Sequence, residues 1–518
     1  MRRVFGIFLV LALAATARVS AAFVLLPEDD KTVDKTVAQA FELYKAGHWN
    51  KAAAMFTRDA EAGKAQAMFA LAILYQQGHG LEKSPSLAES WYQKAAEKGY
   101  VPAMNNLGTL LLADPTRQTA ASDWLQRAAS AGSPKAMLGL GQLSLEGRAG
   151  KPDPEKAREW FQKALDKGDV DAAFQLGKLY ESGAGAARDD AKSLEFYKRA
   201  AEHDFVPALM RLGQKFQSGQ GVKADPAKAL EFFSRAAQFK SSSALFTLGL
   251  LYENGQGVPK DEKKALDYYQ RALEDREQQE PLAYNKIAYF YENGLGGPKD
   301  EAKAVEWYRK GAQSGVNVCA YNLGILLEQG RGAPADKEEG FSMIYKAALG
   351  GFPPAQYDLA LRYRDGKGLR PDIVAAMGWV DRAARGGWTP AQLLLGELLE
   401  KGTTGPPDPA SAASSYQTAA RQGSPEAQFR LASMLEEGRG IKQDLVSAFA
   451  LYQTVASVRA DKSNEAASQL KVAAEKKAAG LRSRLTAVER KQAERMIETS
   501  RAPDTQLTPP ATAAAPRR

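Results

Sequence analysis

One cysteine, Cys319, stands in a chain of 518 residues, so no disulfide within the chain can form in any compartment. Histidine is nearly as scarce. His48, His79 and His203 are too far apart in sequence to make the spacing of a zinc or other histidine-based metal site. Beyond residue 26 no apolar run approaches the ~20 residues a membrane-spanning helix needs. Net charge is also missing where it would matter. The formal +8 of the whole chain is concentrated at its two ends, and residues 23–458 sum to −1. That balance lacks the basic footprint of a nucleic-acid-binding surface. None of the nine asparagines begins an Asn-x-Ser/Thr sequon.

Residues 1–22 have the layout of a secretory signal: Arg2-Arg3, an apolar stretch over 4–15, then Ser20-Ala21-Ala22 before Phe23. Cleavage there is expected, the alternative being an anchor running to Leu26 that Arg18 interrupts. A periplasmic or secreted location follows, with the lumen of the endoplasmic reticulum as the counterpart in a eukaryote. The missing sequons and the absence of a retention signal favour the bacterial case.

Glycine is abundant, at 45 residues, and it recurs with a period. The stretch from 244, ALFTLGLLYENGQGVPKDEKKALDYYQRAL, reads as two short helices around a glycine turn. Aligned on the small residue that opens the first helix, the copies start at Ala67, Ala103, Ala136, Ala172, Ala208, Ala244, Ala283, Cys319, Ala355, Ala391 and Ala427. The spacing is 36 residues except for one step of 33 and one of 39. Neither helix is long enough to be stable alone, so each hairpin must pack on its neighbours. Four residues after the anchor comes Leu or Ile (Leu71 through Leu431), followed by Gly or Ala. Glycine inside a helix costs about 1 kcal/mol relative to alanine, so its recurrence predicts a close crossing of the two helices. The second helix carries an aromatic pair, such as Trp160-Phe161 or Tyr268-Tyr269, then a small pair such as Ala200-Ala201. Large against small across facing helices builds a close-packed layer.

Eight copies carry Gly-x-Gly, from Gly78/Gly80 to Gly438/Gly440. Each follows a helix, not a strand, so it is expected to cap and turn rather than to cradle phosphate. Cys319 occupies an alanine position and is expected to be a small buried residue. The copy at 103–135 replaces its glycine turn with Leu112-Ala113-Asp114-Pro115, and the charged linker 274–281 is the expected hinge. The expected organisation is a signal segment at 1–22, a linker and degenerate capping hairpin at 23–66, eleven repeats at 67–458, capping helices at 459–502 and a disordered Pro/Ala-rich tail at 503–518. The whole is expected to be an all-α superhelical solenoid of about twelve helix-turn-helix repeats, monomeric, without a cofactor, metal or catalytic residue.

The column pattern Ala-x-x-x-Leu-Gly-x-x-Tyr-x-x-Gly-x-Gly, then Ala-x-x-Trp/Phe-Tyr-x-x-Ala-Ala, resembles the Sel-1-like repeat family, relatives of tetratricopeptide repeats. ALMRLGQKFQSGQGVKADPAKALEFFSRAAQ from Ala208 carries it well, as does the stretch from Ala244. The resemblance implies a right-handed α-superhelix whose concave groove binds proteins or peptides, often as an adaptor in signalling, secretion or the bacterial envelope. On that basis the first helices line the groove, and the variable residues three and six places after each anchor are the candidate contacts. They are Asn106, Gln175, Lys178, Arg211, Gln214, Lys286, Tyr289, Asn322, Asp358, Glu397 and Arg430. The expected function is that of an exported, non-enzymatic scaffold binding protein or peptide partners. Two alternatives stand beside it. One is β-lactam binding or hydrolysis, as in cysteine-rich relatives whose paired cysteines this chain lacks. The other is scaffolding of polysaccharide export.

Overall fold

The second helix of a typical hairpin begins where an aspartate can cap it. Asp189 accepts the Lys192 amide at 2.9 Å, and Asp225, Asp261, Asp300 and Asp444 each do the same for the residue three places on. The first helix ends where glycine can turn left-handed: Gly183 adopts φ 76° and sends its N–H to the Leu179 carbonyl. Between these signals nearly every helix runs for 13 residues.

The computed structural model describes residues 34–148, 150–275, 279–458 and 465–501. The expected signal segment at 1–22 and the tail at 503–518 lie outside the described residues, as do 276–278 of the expected hinge. Among the described residues there are 26 α-helices, one 3-10 turn and no strand. The all-α solenoid class is therefore what the chain adopts.

The chain divides into two compact units at Gln279/Glu280, within the long linker. The first unit opens with the hairpin Lys35–Lys45 and Trp49–Glu61, then stacks the six repeats anchored from Ala67 to Ala244. Val37, Ala40, Phe41, Ala52 and Phe56 of the opening hairpin share one core with Phe69, Leu71 and Tyr92 of the next. The missing glycine turn after Ala103 is replaced by the 3-10 turn Pro115–Arg117, with Asp114 accepting the Thr116 amide at 2.8 Å. The second unit stacks the five repeats anchored from Ala283 to Ala427. The helices Glu465–Arg482 and Ala487–Arg501 follow, and Ala474, Ala478, Leu481 and Ala493 close the core begun by Tyr416 and Leu431.

Every anchor is fully buried, Cys319 included. The glycine column behaves as its cost implies. A Cβ on Gly177 would lie 2.7 Å from the Tyr197 ring, and one on Gly213 or Gly249 would lie 2.5 Å from Phe233 or Tyr269. In the repeat anchored at Cys319 the two helices meet backbone to backbone: a Cβ on Gly324 would lie 2.6 Å from the Gly340 carbonyl, and Ile344 replaces the ring. Cys319 has a local reason too. Its sulfur fills the space opposite Gly311, where most copies have alanine, such as Ala200 or Ala236. Larger at one position and smaller at the other, the pair keeps the volume of the usual Ala/Ala contact. Burial pushes its thiol up to about 12.

The two turn glycines have separate tasks. The first caps its helix. The second closes on the preceding hairpin in most copies: a Cβ on Gly80 would lie 2.5 Å from the Trp49 carbonyl carbon and one on Gly257 2.8 Å from Pro226, whereas one on Gly368 would meet open space.

Candidate binding face

Polar chemistry concentrates where the first helices of successive repeats meet. Its inner edge is a row of buried tyrosines. Each lies sixteen residues after a polar partner on its own first helix and donates its hydroxyl there: Tyr197 to Glu181 at 2.9 Å, Tyr308 to Glu292 at 3.0 Å, Tyr416 to Glu400 at 2.8 Å, Tyr452 to Glu436 at 3.1 Å. Tyr269 pairs with Glu253 and Tyr92 with Gln76 in the same way. Where the ring is Phe161 the matching position is Leu145. Each of these buried hydroxyls thus has its acceptor, as the cost of an unsatisfied buried donor requires, while Gln217 and Glu328 stand at the same place before Phe233 and Ile344, which carry no hydroxyl.

Carboxylates at this place in the repeat, Glu328 before Ile344 among them, reach forward to the next repeat. Glu181 takes Arg211 at 2.7 Å and Lys215 at 2.7 Å, Glu292 takes Arg331 at 3.0 Å, and Glu328 takes Arg362 at 2.7 Å. Burial alone would raise the Glu181 pKa, but the Lys215 ammonium beside it and hydrogen bonds from Arg211 and Tyr197 outweigh it and hold the carboxyl below its ordinary range. Glu400 is held down likewise, against its burial, by Tyr416 and Arg439.

Most of the candidate contact residues lie on this seam. Arg211 joins Glu181 and, through Nη1, Gln214 at 3.3 Å. Lys178 lies 3.4 Å from Gln175 on its own helix. Asn322 donates to Asn285 of the preceding first helix at 3.1 Å. Asp358 holds Arg362 against Glu328. Glu397 and Arg430 face each other from neighbouring repeats at 3.4 Å. Lys286 and Tyr289 are half-buried on the helix Leu282–Asn293. Asn106 is different: it is fully buried beside Asn105 and Tyr92, so its side chain is not offered to a partner.

Lys215, Arg362, Glu181 and Glu328 were not among the candidates, although Asp358 was. A signal for them is in the columns. Seven places after the anchor stand Leu74, Leu110, Leu143, Leu179, Leu251, Phe290, Leu326, Leu398 and Met434, and Lys215 and Arg362 are the two charged exceptions. Lys215 is only 1% exposed.

The histidines occupy loops and helix ends. His48 stands at the start of the helix Trp49–Glu61 without a side-chain capping bond, and His203 stands at the end of the helix Asp190–Glu202. His79, between two turn glycines, stacks on Trp49 at 4.3 Å and meets the Tyr44 hydroxyl at 3.1 Å. Among the described residues no three His, Cys, Asp or Glu side chains converge as a metal site would need, and no helix is long and apolar enough to cross a membrane.

The Sel1 repeat model matches eleven times, at 65–100, 101–133, 134–169, 170–205, 206–238, 242–275, 281–316, 318–352, 353–388, 389–424 and 425–457. The chain belongs to the Sel1 repeat family. Among solved structures it is similar to a protective antigen present in uropathogenic Escherichia coli strains that displays an SLR fold. The two are 28% identical over 90% of this chain and 99% of that one, with a TM-score of 0.50. A Sel1 repeat protein from Oxalobacter formigenes is 32% identical over 60% of this chain and 89% of its own, with a TM-score of 0.46. No curated protein sequence matches the chain. In Sel1 repeat terms, the anchor, leucine and glycine columns define the hairpin, and the seam of Glu, Arg and Lys is what varies along this array.

Proposed function

We propose that this Sel1 repeat chain is a non-enzymatic scaffold whose first-helix face binds proteins or peptides, and that it works outside the cytoplasm, in the bacterial periplasm, after loss of residues 1–22. The observation that carries the binding reading is the contrast between invariant and variable columns on one helix. Ala, Leu and Gly are repeated for packing, while residues three and six places after the anchor change chemistry from copy to copy and, from Gln175 onward, are mostly half-buried or exposed. Neighbouring helices lie about 10 Å apart. An extended peptide rises ~3.3 Å per residue, so a chain laid across them meets a new polar group roughly every third residue. Affinity then comes from a few central contacts among many weak ones. The export reading is supported by the n-region, apolar stretch and small residues at 1–22.

Photo-crosslinkers placed in living cells at Gln214 and Arg430, and on the outer second-helix face at Lys198 and Gln417, test the binding reading. Capture is expected from the first pair. Capture confined to the second pair, or charge reversals at Arg211, Lys286 and Asp358 that leave capture intact, would overturn it. N-terminal sequencing of the protein from periplasmic extracts should begin at Phe23; a cytosolic chain with its first residues retained would remove the export half of the proposal.

A further inference from the structure

We infer that the junction of the repeats at 170–205 and 206–238 is a subsite for an acidic side chain of a bound peptide, held by Lys178 and Arg211 with Lys215 beneath them. The inference rests on the peptide-binding reading above and narrows it to one place and one chemistry.

The repeat supplies its own control. At the junction of the last two repeats, the residue six places after one anchor and the residue three places after the next are Glu397 and Arg430, 3.4 Å apart. The same two places at the earlier junction hold Lys178 and Arg211. Of the ten junctions between successive copies, this is the one where two like charges occupy the pair. A cation stands where the later junction has a carboxylate.

The layer beneath does not make up the deficit. Glu181 is already shared by the Tyr197 hydroxyl, by Arg211 through Nε at 3.0 Å and Nη2 at 2.7 Å, and by Lys215. Lys215 lies 2.7 Å from that carboxylate as an ion pair, but its ammonium has no well-aligned hydrogen-bond acceptor. At the surface Lys178 lies 3.4 Å from the Gln175 amide, and Arg211, besides its bonds to Glu181, lies 3.3 Å from the Gln214 amide. An incoming carboxylate would exchange such contacts for charge-assisted hydrogen bonds of about 2.8 Å. A buried lysine in a leucine column is a local cost, and sites that break the local rules of a fold are where function is expected.

Three fluorescent, N-acetylated peptides test this on the full chain by anisotropy: four Gly-Glu repeats with an amidated C-terminus, four Gly-Gln repeats amidated, and four Gly-Gln repeats with a free C-terminus. The Gly-Glu peptide is expected to bind and the amidated Gly-Gln peptide not to. Lys178→Glu, which writes in the carboxylate of the later junction, should weaken that binding about tenfold or more and raise the thermal midpoint. Lys198→Glu, an equal charge change on the exposed outer helix, should alter binding less than about twofold. Equal weakening by the two substitutions would reduce the site to diffuse attraction and overturn it. Binding of the free-terminus Gly-Gln peptide alone would assign the site to a chain terminus and overturn the acidic side chain. If no peptide binds while crosslinkers at Gln214 and Arg430 still capture a partner, the subsite falls and the wider reading stands; if capture fails as well, both fall.

Discussion

The two units resolve the same structural exception in opposite ways. Each has one charged residue in the apolar column seven places after the anchor, Lys215 in the first and Arg362 in the second, and each sends it to the carboxylate of the preceding repeat. Around Arg362 two carboxylates, Glu328 at 2.7 Å and Asp358 at 3.2 Å, surround one guanidinium. Around Glu181 two cations share one carboxylate. A buried charge that removes its own excess is a staple between repeats. One that leaves an excess of its own sign is half of an interaction. The fold is indifferent to which it receives, because the anchor, leucine and glycine columns already hold the hairpins together.

That difference can be broken most forcefully at the shared carboxylate. Glu181→Gln strands Lys215 and Arg211 and should cost about 3 kcal/mol or more. Glu328→Gln leaves Arg362 with Asp358 and should cost about half as much. Denaturant midpoints, together with hydrogen exchange in the affected repeats, would show it, and equal losses would erase the distinction between the two clusters.

The Cys319 layer compares one junction with the rest of the array. Gly311→Ala overpacks against the sulfur and should cost about 2 kcal/mol. Adding Cys319→Ala restores the usual pair and should recover most of that loss. Strictly additive costs would show that the two residues do not share one space.

A smaller effect separates tyrosine repeats from phenylalanine repeats. Phe161→Tyr places a hydroxyl opposite Leu145 and should cost about 1–2 kcal/mol. Leu145→Glu in the same chain should reduce the penalty, provided the introduced carboxylate accepts that hydroxyl. Thermal midpoints of the single and double variants decide it.

The gentlest comparison is in pH. Glu181 and Glu400 titrate below their ordinary range in the folded chain. The stability they contribute is therefore complete above about pH 4.3, the unfolded value, and is lost as pH falls through their depressed folded values. Acid titration of the unfolding midpoint should be shallower in Glu400→Gln by about 1 kcal/mol or less. A steeper curve would contradict the assigned pairing.

Much of the fold was legible because packing repeats. A residue that must be small or aliphatic at one place must be so in every copy, so Ala172, Leu176 and Gly177 could be recognised from their counterparts without any structure. The candidate face was legible only in part. Reading down columns exposes what is shared, whereas the seam depends on pairs that link columns: Tyr197 with a residue sixteen places earlier, and Arg211 with one thirty places earlier. Asn106 illustrates the limit. Its place in the repeat is the same as that of Arg211, but the earlier hairpins bury that place, with Ala70 1% exposed and Asn106 fully buried. Depth is not written in the column. Lys215 could have been noticed as an intruder among leucines, but its partner Glu181 becomes evident only when neighbouring first helices are set side by side.

The second turn glycine, seated on the helix start of the hairpin before it, has a consequence for how such a chain can change length. Gly257 on Pro226 and Gly80 on Trp49 are the same joint made twice, so excising or duplicating a whole hairpin presents a new junction with surfaces that already fit. Cutting a fraction of a hairpin leaves a glycine facing the wrong backbone. The array can therefore grow or shrink by complete modules at little structural expense, carrying its charged junctions along as interchangeable cassettes.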